Sequence, residues 1–130
     1  MKLQKLESDF NVCKVSSFAH VDFMQEFVFV AKTSDEISLV CEAKHTPSNI
    51  TECELGWKGL KVCGVLDFGM IGVIAKISDV LARSEISIFV VSTYNTDYIF
   101  LKAENFESGI RALRDSGYVV KEDYCENESF

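Results

Sequence analysis

Residues 66–102, LDFGMIGVIAKISDVLARSEISIFVVSTYNTDYIFLK, carry the clearest structural pattern in this chain. Met70, Val73, Ile74, Ile77, Val80 and Leu81 recur at helical spacing, while Lys76, Asp79 and Arg83 fall on the opposite side. That division predicts a surface helix laid on a sheet, from about Gly69 to Ser84. ISIFVVST (86–93) follows, apolar on both faces and so needing cover on both. TDYIFLK (96–102) reads as its hairpin partner. The polar residues gather at two turns, Asp67-Phe68-Gly69-Met70-Ile71-Gly72 and Ser92-Thr93-Tyr94-Asn95-Thr96-Asp97. At the same end of one sheet, these turns would form a polar pocket beside a helix N-terminus. Such a pocket predicts binding rather than catalysis.

Downstream, Glu104 to Ser116 predicts a second amphipathic helix through Phe106, Ile110 and Leu113, acidic at its start and closed by Gly117. Tyr118-Val119-Val120-Lys121 reads as a last strand. Upstream, GLKVCG (59–64) reads as a strand with Leu60 and Val62 on one face. The order is therefore β-α-β-β-α-β, the ferredoxin-like unit of the α+β class, whose right-handed crossovers put both helices on one face.

The first half is plainer. Residues 2–6 and 11–16 alternate apolar and polar around Glu-Ser-Asp and predict a short hairpin. His20 to Gln25 suits one helical turn. FVFVAKT (27–33) and ISLVCEA (37–43) are β-prone runs separated by Ser34-Asp35-Glu36. KHTPSNITECELG (44–56) holds the only proline, which places a boundary between a module at 1–55 and another at 56–130. The halves also share a pattern. Phe29–Thr33 matches Phe89–Thr93, and Asp35–Leu39 matches Asp97–Leu101 with two fewer residues in the first turn, as in a duplicated unit.

The totals narrow the classes of function. The chain has 130 residues, is 48% hydrophobic and carries a formal charge of −7. It is long enough to bury a core, and its acidity disfavours nucleic acid and anionic membrane as partners. The KEDYCENESF end (121–130) contributes to that charge and reads as a solvated tail. No apolar run approaches the ~20 residues of a membrane helix, and the N-terminus alternates rather than forming a signal-peptide core. Five cysteines, an odd number without a CxxC pair, fit a cytoplasmic protein with reduced thiols.

WKGLKVCGVLDFGMIGVIAKISDVLARSEISIFVVSTYNTDYIFLK (57–102) resembles the small tandem ACT-domain proteins, which are related to the ACT modules of the cytosolic arginine sensors called CASTOR. The likeness is dense from Trp57 to Lys102, with ISIFVVSTYNTDYI its specific part. It continues more loosely through ENFESGIRALRDSGY and reaches back to FVFVAKTSDEISLVC. It implies a ferredoxin-like ACT domain preceded by a smaller, degenerate, β-rich ACT-like module. It further implies a non-catalytic sensor holding an amino acid where the strand-to-helix turn of one module faces the other. By position that turn is Asp67, Phe68, Gly69, Met70, Ile71 and Gly72, and the facing hairpin supplies Ser92, Thr93, Tyr94, Asn95, Thr96 and Asp97. In the arginine sensors an aspartate of the matching hairpin meets the ligand's basic side chain, and Asp97 takes that place here. The chain is shorter than those sensors and has two modules only.

A free amino acid needs receptors for its carboxylate, its ammonium and its side chain. A helix N-terminus offers unpaired N–H groups to the carboxylate, and Gly69 and Gly72 allow close approach. Asp67 or Asp97 would accept from the ammonium or from a basic side chain. Asp67 fits a helix N-cap equally well, and Asn95 and Asp97 are ordinary turn formers. Cys41, His45 and Cys53 are too loosely spaced for zinc, no cofactor motif is present, and no nucleophile motif accompanies His20 or His45. An exposed apolar sheet face would pair two copies as a homodimer. The alternative to a sensor is a ligand-free dimerisation module.

Overall fold

The computed structural model describes residues 1–64 and 71–125. Its elements run β1 (Lys2–Val15), β2 (Phe29–Lys32), β3 (Ile37–Glu42), β4 (Ile50–Val62), α1 (Val73–Arg83), β5 (Ile88–Ser92), β6 (Asp97–Lys102), α2 (Phe106–Asp115) and β7 (Val119–Lys121). Short 3-10 turns, Ala43–His45 and Ala103–Asn105, follow β3 and β6. The chain divides into two units: Met1–Glu7 with Lys58–Phe130, and Ser8–Trp57. Strands β1 and β4 each contribute residues to both.

In the unit of Met1–Glu7 and Lys58–Phe130, β4-α1-β5-β6-α2-β7 is the β-α-β-β-α-β succession expected from the apolar periodicity. Its core joins Leu60 and Val62 of β4, Ile77 and Leu81 of α1, Ile99 and Leu101 of β6, and Phe106, Ile110 and Leu113 of α2. Val73, Ile74 and Val80 pack on this core from the rest of the α1 stripe; Met70, expected on the same stripe, lies outside the described residues. At roughly 1.5–3 kcal/mol for each buried apolar side chain, the stripe is a main source of the unit's stability. On the far side of α1, Arg83 pairs with Asp79 one turn back, as the charged face requires. The strand order is β7-β1-β4-β6-β5. The start of β1 thus stands between β7 and β4, parallel to β7 with Leu3 opposite Val120. On the other sheet face Phe100 is fully buried beside Phe89, with ring centroids 6.3 Å apart.

The hairpin β5–β6 is tied to β4. Thr96, buried in the turn, donates its hydroxyl to the Val62 carbonyl at 2.8 Å. The turn itself closes through the Thr93 N–H to the Thr96 carbonyl at 2.8 Å.

In the unit Ser8–Trp57 the strand order is β2-β3-β1-β4. Val15, Leu39 and Cys41 form a small core, with Val21, Val28 and Ile37 against it. Residues 16–28 connect β1 to β2 through successive turns, the Val21 N–H donating to the Phe18 carbonyl and Gln25 to Asp22. The helical turn expected at His20–Gln25 is therefore absent. The Thr33 N–H donates to the Glu36 carbonyl at 2.9 Å, the counterpart of the Thr93–Thr96 bond. Lys32 pairs with Ile37 as Ser92 pairs with Asp97, so the two hairpin turns are equal in length. The expected two-residue gap is corrected: Ile37, not Asp35, is the counterpart of Asp97.

Four further expectations change. Residues 2–16 form no hairpin, because β1 runs unbroken through Glu7-Ser8-Asp9, pairing with β7 at its start and with β3 from Phe10 to Lys14. Helix α1 begins at Val73 because Gly72, at φ 80°, is left-handed and cannot belong to a right-handed helix. The thiols are not all reduced, since Cys63 and Cys125 are joined in a disulfide. That bond also holds down part of the presumed free tail. The Cys125 N–H donates to Gln4 Oε1 at 3.1 Å, and Glu122 accepts from Lys5 at 2.9 Å, which keeps its carboxyl below the usual range.

Two substitutions test this packing. A Cβ on Gly109 of α2 would collide with Leu101 Cδ2 inside the core. Gly109→Ala is therefore expected to lower unfolding free energy in urea by about 1–2 kcal/mol, overpacking outweighing the helix propensity gained. Thr96→Val keeps the shape but removes the buried hydroxyl donor to the Val62 carbonyl, and should cost about 1–2 kcal/mol by the same measurement.

Candidate functional site

The sequence points to the end of the sheet where β4 gives way to α1. Val62 closes β4, and Cys63 and Gly64 follow it, buried. Asp67, Phe68, Gly69 and Met70 lie outside the described residues. Ile71 and Gly72 are described. Ile71 is exposed, and Gly72 is the N-cap of α1, the role considered for Asp67. Among the described residues no side chain caps this helix, and its first turn carries no acidic residue. The first amide to find its intrahelical acceptor is Lys76, which donates to the Gly72 carbonyl at 2.9 Å. The N–H groups of Val73, Ile74 and Ala75 precede it and have no such acceptor. The dipole and the Lys76 ammonium add positive charge at that end, in a chain that is acidic overall.

The second predicted turn lies by the same strand end. The Thr96–Val62 bond holds the tip of the β5–β6 hairpin beside the last residue of β4. Ser92, Thr93, Tyr94 and Asn95 are exposed there, and Asp97 is half-buried as the first residue of β6. Thr93 and Thr96 have internal duties. The Thr93 hydroxyl donates to the Thr96 carbonyl at 3.0 Å, and the Thr96 hydroxyl is committed to Val62. The other polar groups of the hairpin tip are the exposed Ser92 hydroxyl and Asn95 amide and the half-buried Asp97 carboxylate.

Ile71 also lines a cavity of about 300 Å³ with Met1, Val73, Lys76, Ser116, Gly117 and Tyr118. This volume is at the small end of those that hold small molecules. Burial pushes the Tyr118 phenol above its ordinary pKa. Among the described residues that line it, none belongs to Ser92–Asp97, and the first turn of α1 faces the α2–β7 turn there. This wall is not legible in the residue pattern. Only Gly117, at φ 96°, marks the bend that turns the chain back toward α1.

Residues 52–115 match the model of the ACT domain. Comparison with curated protein sequences finds no match. Among solved structures, a protein from Agrobacterium tumefaciens is similar at a TM-score of 0.83 and 24% identity, over 99% of this chain and 97% of that one. The regulatory subunit of aspartate kinase from Thermus thermophilus, in its ligand-free form, is similar at a TM-score of 0.63 and 10% identity, over 88% of this chain and 96% of that one. Aspartate kinase from Clostridium acetobutylicum is similar at 0.61 and 15% identity, over 85% of this chain and 33% of the kinase. At these identities the likeness speaks for fold alone. With two helices on a sheet in the β-α-β-β-α-β order, the fold of this chain is the ACT fold.

Proposed function

We propose that this protein is a non-catalytic regulatory module that binds an amino acid or a closely related metabolite at the β4–α1 end of its ACT fold. What supports it is a helix N-terminus that no side chain caps among the described residues, following β4 in the chain, and an acidic hairpin tip fastened to the end of β4. The amides of Val73, Ile74 and Ala75, with Lys76 one turn on, would take the ligand's carboxylate. Asp97 would accept from its ammonium, or from a basic side chain as in the arginine sensors, with Ser92 and Asn95 as neutral partners. Tyr94, exposed at the tip, would close over the ligand. Asp67, Phe68, Gly69 and Met70 belong to the proposal by their place in the sequence between β4 and α1. Thr93 and Thr96 would position the hairpin rather than touch the ligand.

A second reading has one observation in its favour. β5 ends the strand order of its unit, and Ile88 to Val91 are only half-buried there. An apolar edge strand is a template for pairing with another strand, which suits a homodimerisation module that needs no ligand.

The two readings part in a thermal-shift screen of the common amino acids at millimolar concentration. The sensor predicts that at least one raises the midpoint, since ligand at 100 times its dissociation constant stabilises by ~2.7 kcal/mol. Asp97→Ala should abolish that rise while leaving the unliganded midpoint close to the wild type. No rise with any amino acid would reject the sensor, and loss of self-association on substituting β5 would then favour the second reading.

A further inference from the structure

Three free cysteines lie in the unit Ser8–Trp57: Cys13 on β1, Cys41 on β3 and Cys53 on β4. Two of them meet. The sulfurs of Cys13 and Cys53 are 2.7 Å apart, inside the contact distance of two non-bonded sulfur atoms, on strands that are neighbours in the sheet. The alignment of these strands is held on the Lys14 side of Cys13 and Cys53. Lys14 pairs with Glu52 at 3.3 Å, and the Thr51 hydroxyl donates to the Lys14 carbonyl at 3.5 Å. Cys41 is placed differently. On β3 it pairs with Asn11, two residues before Cys13 along β1.

The exposures of the two partners differ in a way that sets an order of events. Cys13 is 3% exposed, whereas Cys53 is half-buried. An oxidant reaches Cys53 and not Cys13. Burial also pushes the Cys13 thiol well above its ordinary pKa, so Cys13 is a protected partner rather than a first target.

We propose that Cys13 and Cys53 are a redox modification site, a dithiol that closes to a cross-strand disulfide under mild oxidation by a hydroperoxide and reopens with a thiol reductant. In the first step the Cys53 sulfur attacks the outer peroxide oxygen. The O–O bond breaks, leaving Cys53 as a sulfenic acid and releasing water. In the second the Cys13 sulfur attacks the Cys53 sulfur. The S–S bond forms, the S–O bond breaks, and the departing hydroxide leaves as water with the Cys13 proton. Two thiols lose two electrons, and hydrogen peroxide is reduced to two waters. Reopening passes through a mixed disulfide with the reductant. This site is independent of the proposed ligand site, since it lies in the other unit and uses none of the same residues.

The full-length protein, treated with hydrogen peroxide, denatured, alkylated and mapped by peptide mass, tests it. The expected result is a Cys13–Cys53 linked peptide, with two of the three free thiols lost to alkylation and Cys41 still alkylated. Dithiothreitol restores both thiols. Cys41→Ser should give the same link. Cys53→Ser, which changes a half-buried position, should keep the wild-type circular dichroism, give no link and leave Cys13 reduced. The proposal is overturned if both thiols survive peroxide, if Cys53 is carried to sulfinic acid without linkage, or if the link runs to Cys41, Cys63 or Cys125.

Discussion

The hydrogen bond from the Thr96 hydroxyl to the Val62 carbonyl is the constraint on which the candidate site depends. It is buried, so both groups would lack water as an alternative partner if it broke. It also fixes the tip of one hairpin against the end of a strand that is distant in sequence. Without it, the hairpin tip would be held to β4 through the β6 ladder alone. With it, the hairpin tip stands by the end of β4, the strand that precedes α1 in the chain. The disulfide between Cys63 and Cys125 acts on the same neighbourhood, since Cys63 is the residue after Val62.

Much of this architecture is legible in the residues. The α1 stripe of Val73, Ile77 and Leu81 and the α2 stripe of Phe106, Ile110 and Leu113 both repeat at helical spacing, and both face the core. The two hairpins could be read from their β-branched and aromatic runs. What escaped was set by partners distant in the chain. Glu7-Ser8-Asp9 looks like a turn, yet it continues a strand whose ends bond to β7 and to β3. Gly69 and Gly72 both suit a helix start, and only the left-handed backbone at Gly72 decides between them. The Asp35–Asp97 match misled because letters were aligned where the turn bonds from Thr33 and Thr93 set the register. Cys63 and Cys125 are 62 residues apart, and nothing in their spacing pairs them.

For the candidate site, the residue pattern pointed to a location more than to a chemistry. The two polar turns marked the strand end, and the structure keeps the second of them beside it. The division of labour within that turn was not readable. Thr93, Asn95, Thr96 and Asp97 are all turn-forming or polar types, yet the two threonines are spent on holding the hairpin, while Asn95 is exposed and Asp97 half-buried. The cavity wall of Ser116, Gly117 and Tyr118 was equally hidden, because it comes to α1 only through packing of the two helices.

The most direct measurement is an amide chemical-shift titration of the uniformly nitrogen-15-labelled protein with an amino acid. The account predicts saturable shifts concentrated on the amides of Ile71 to Lys76 and of Thr93 to Asp97, with those of Ser8 to Lys14 unmoved. Saturable shifts confined to residues remote from both segments would contradict it.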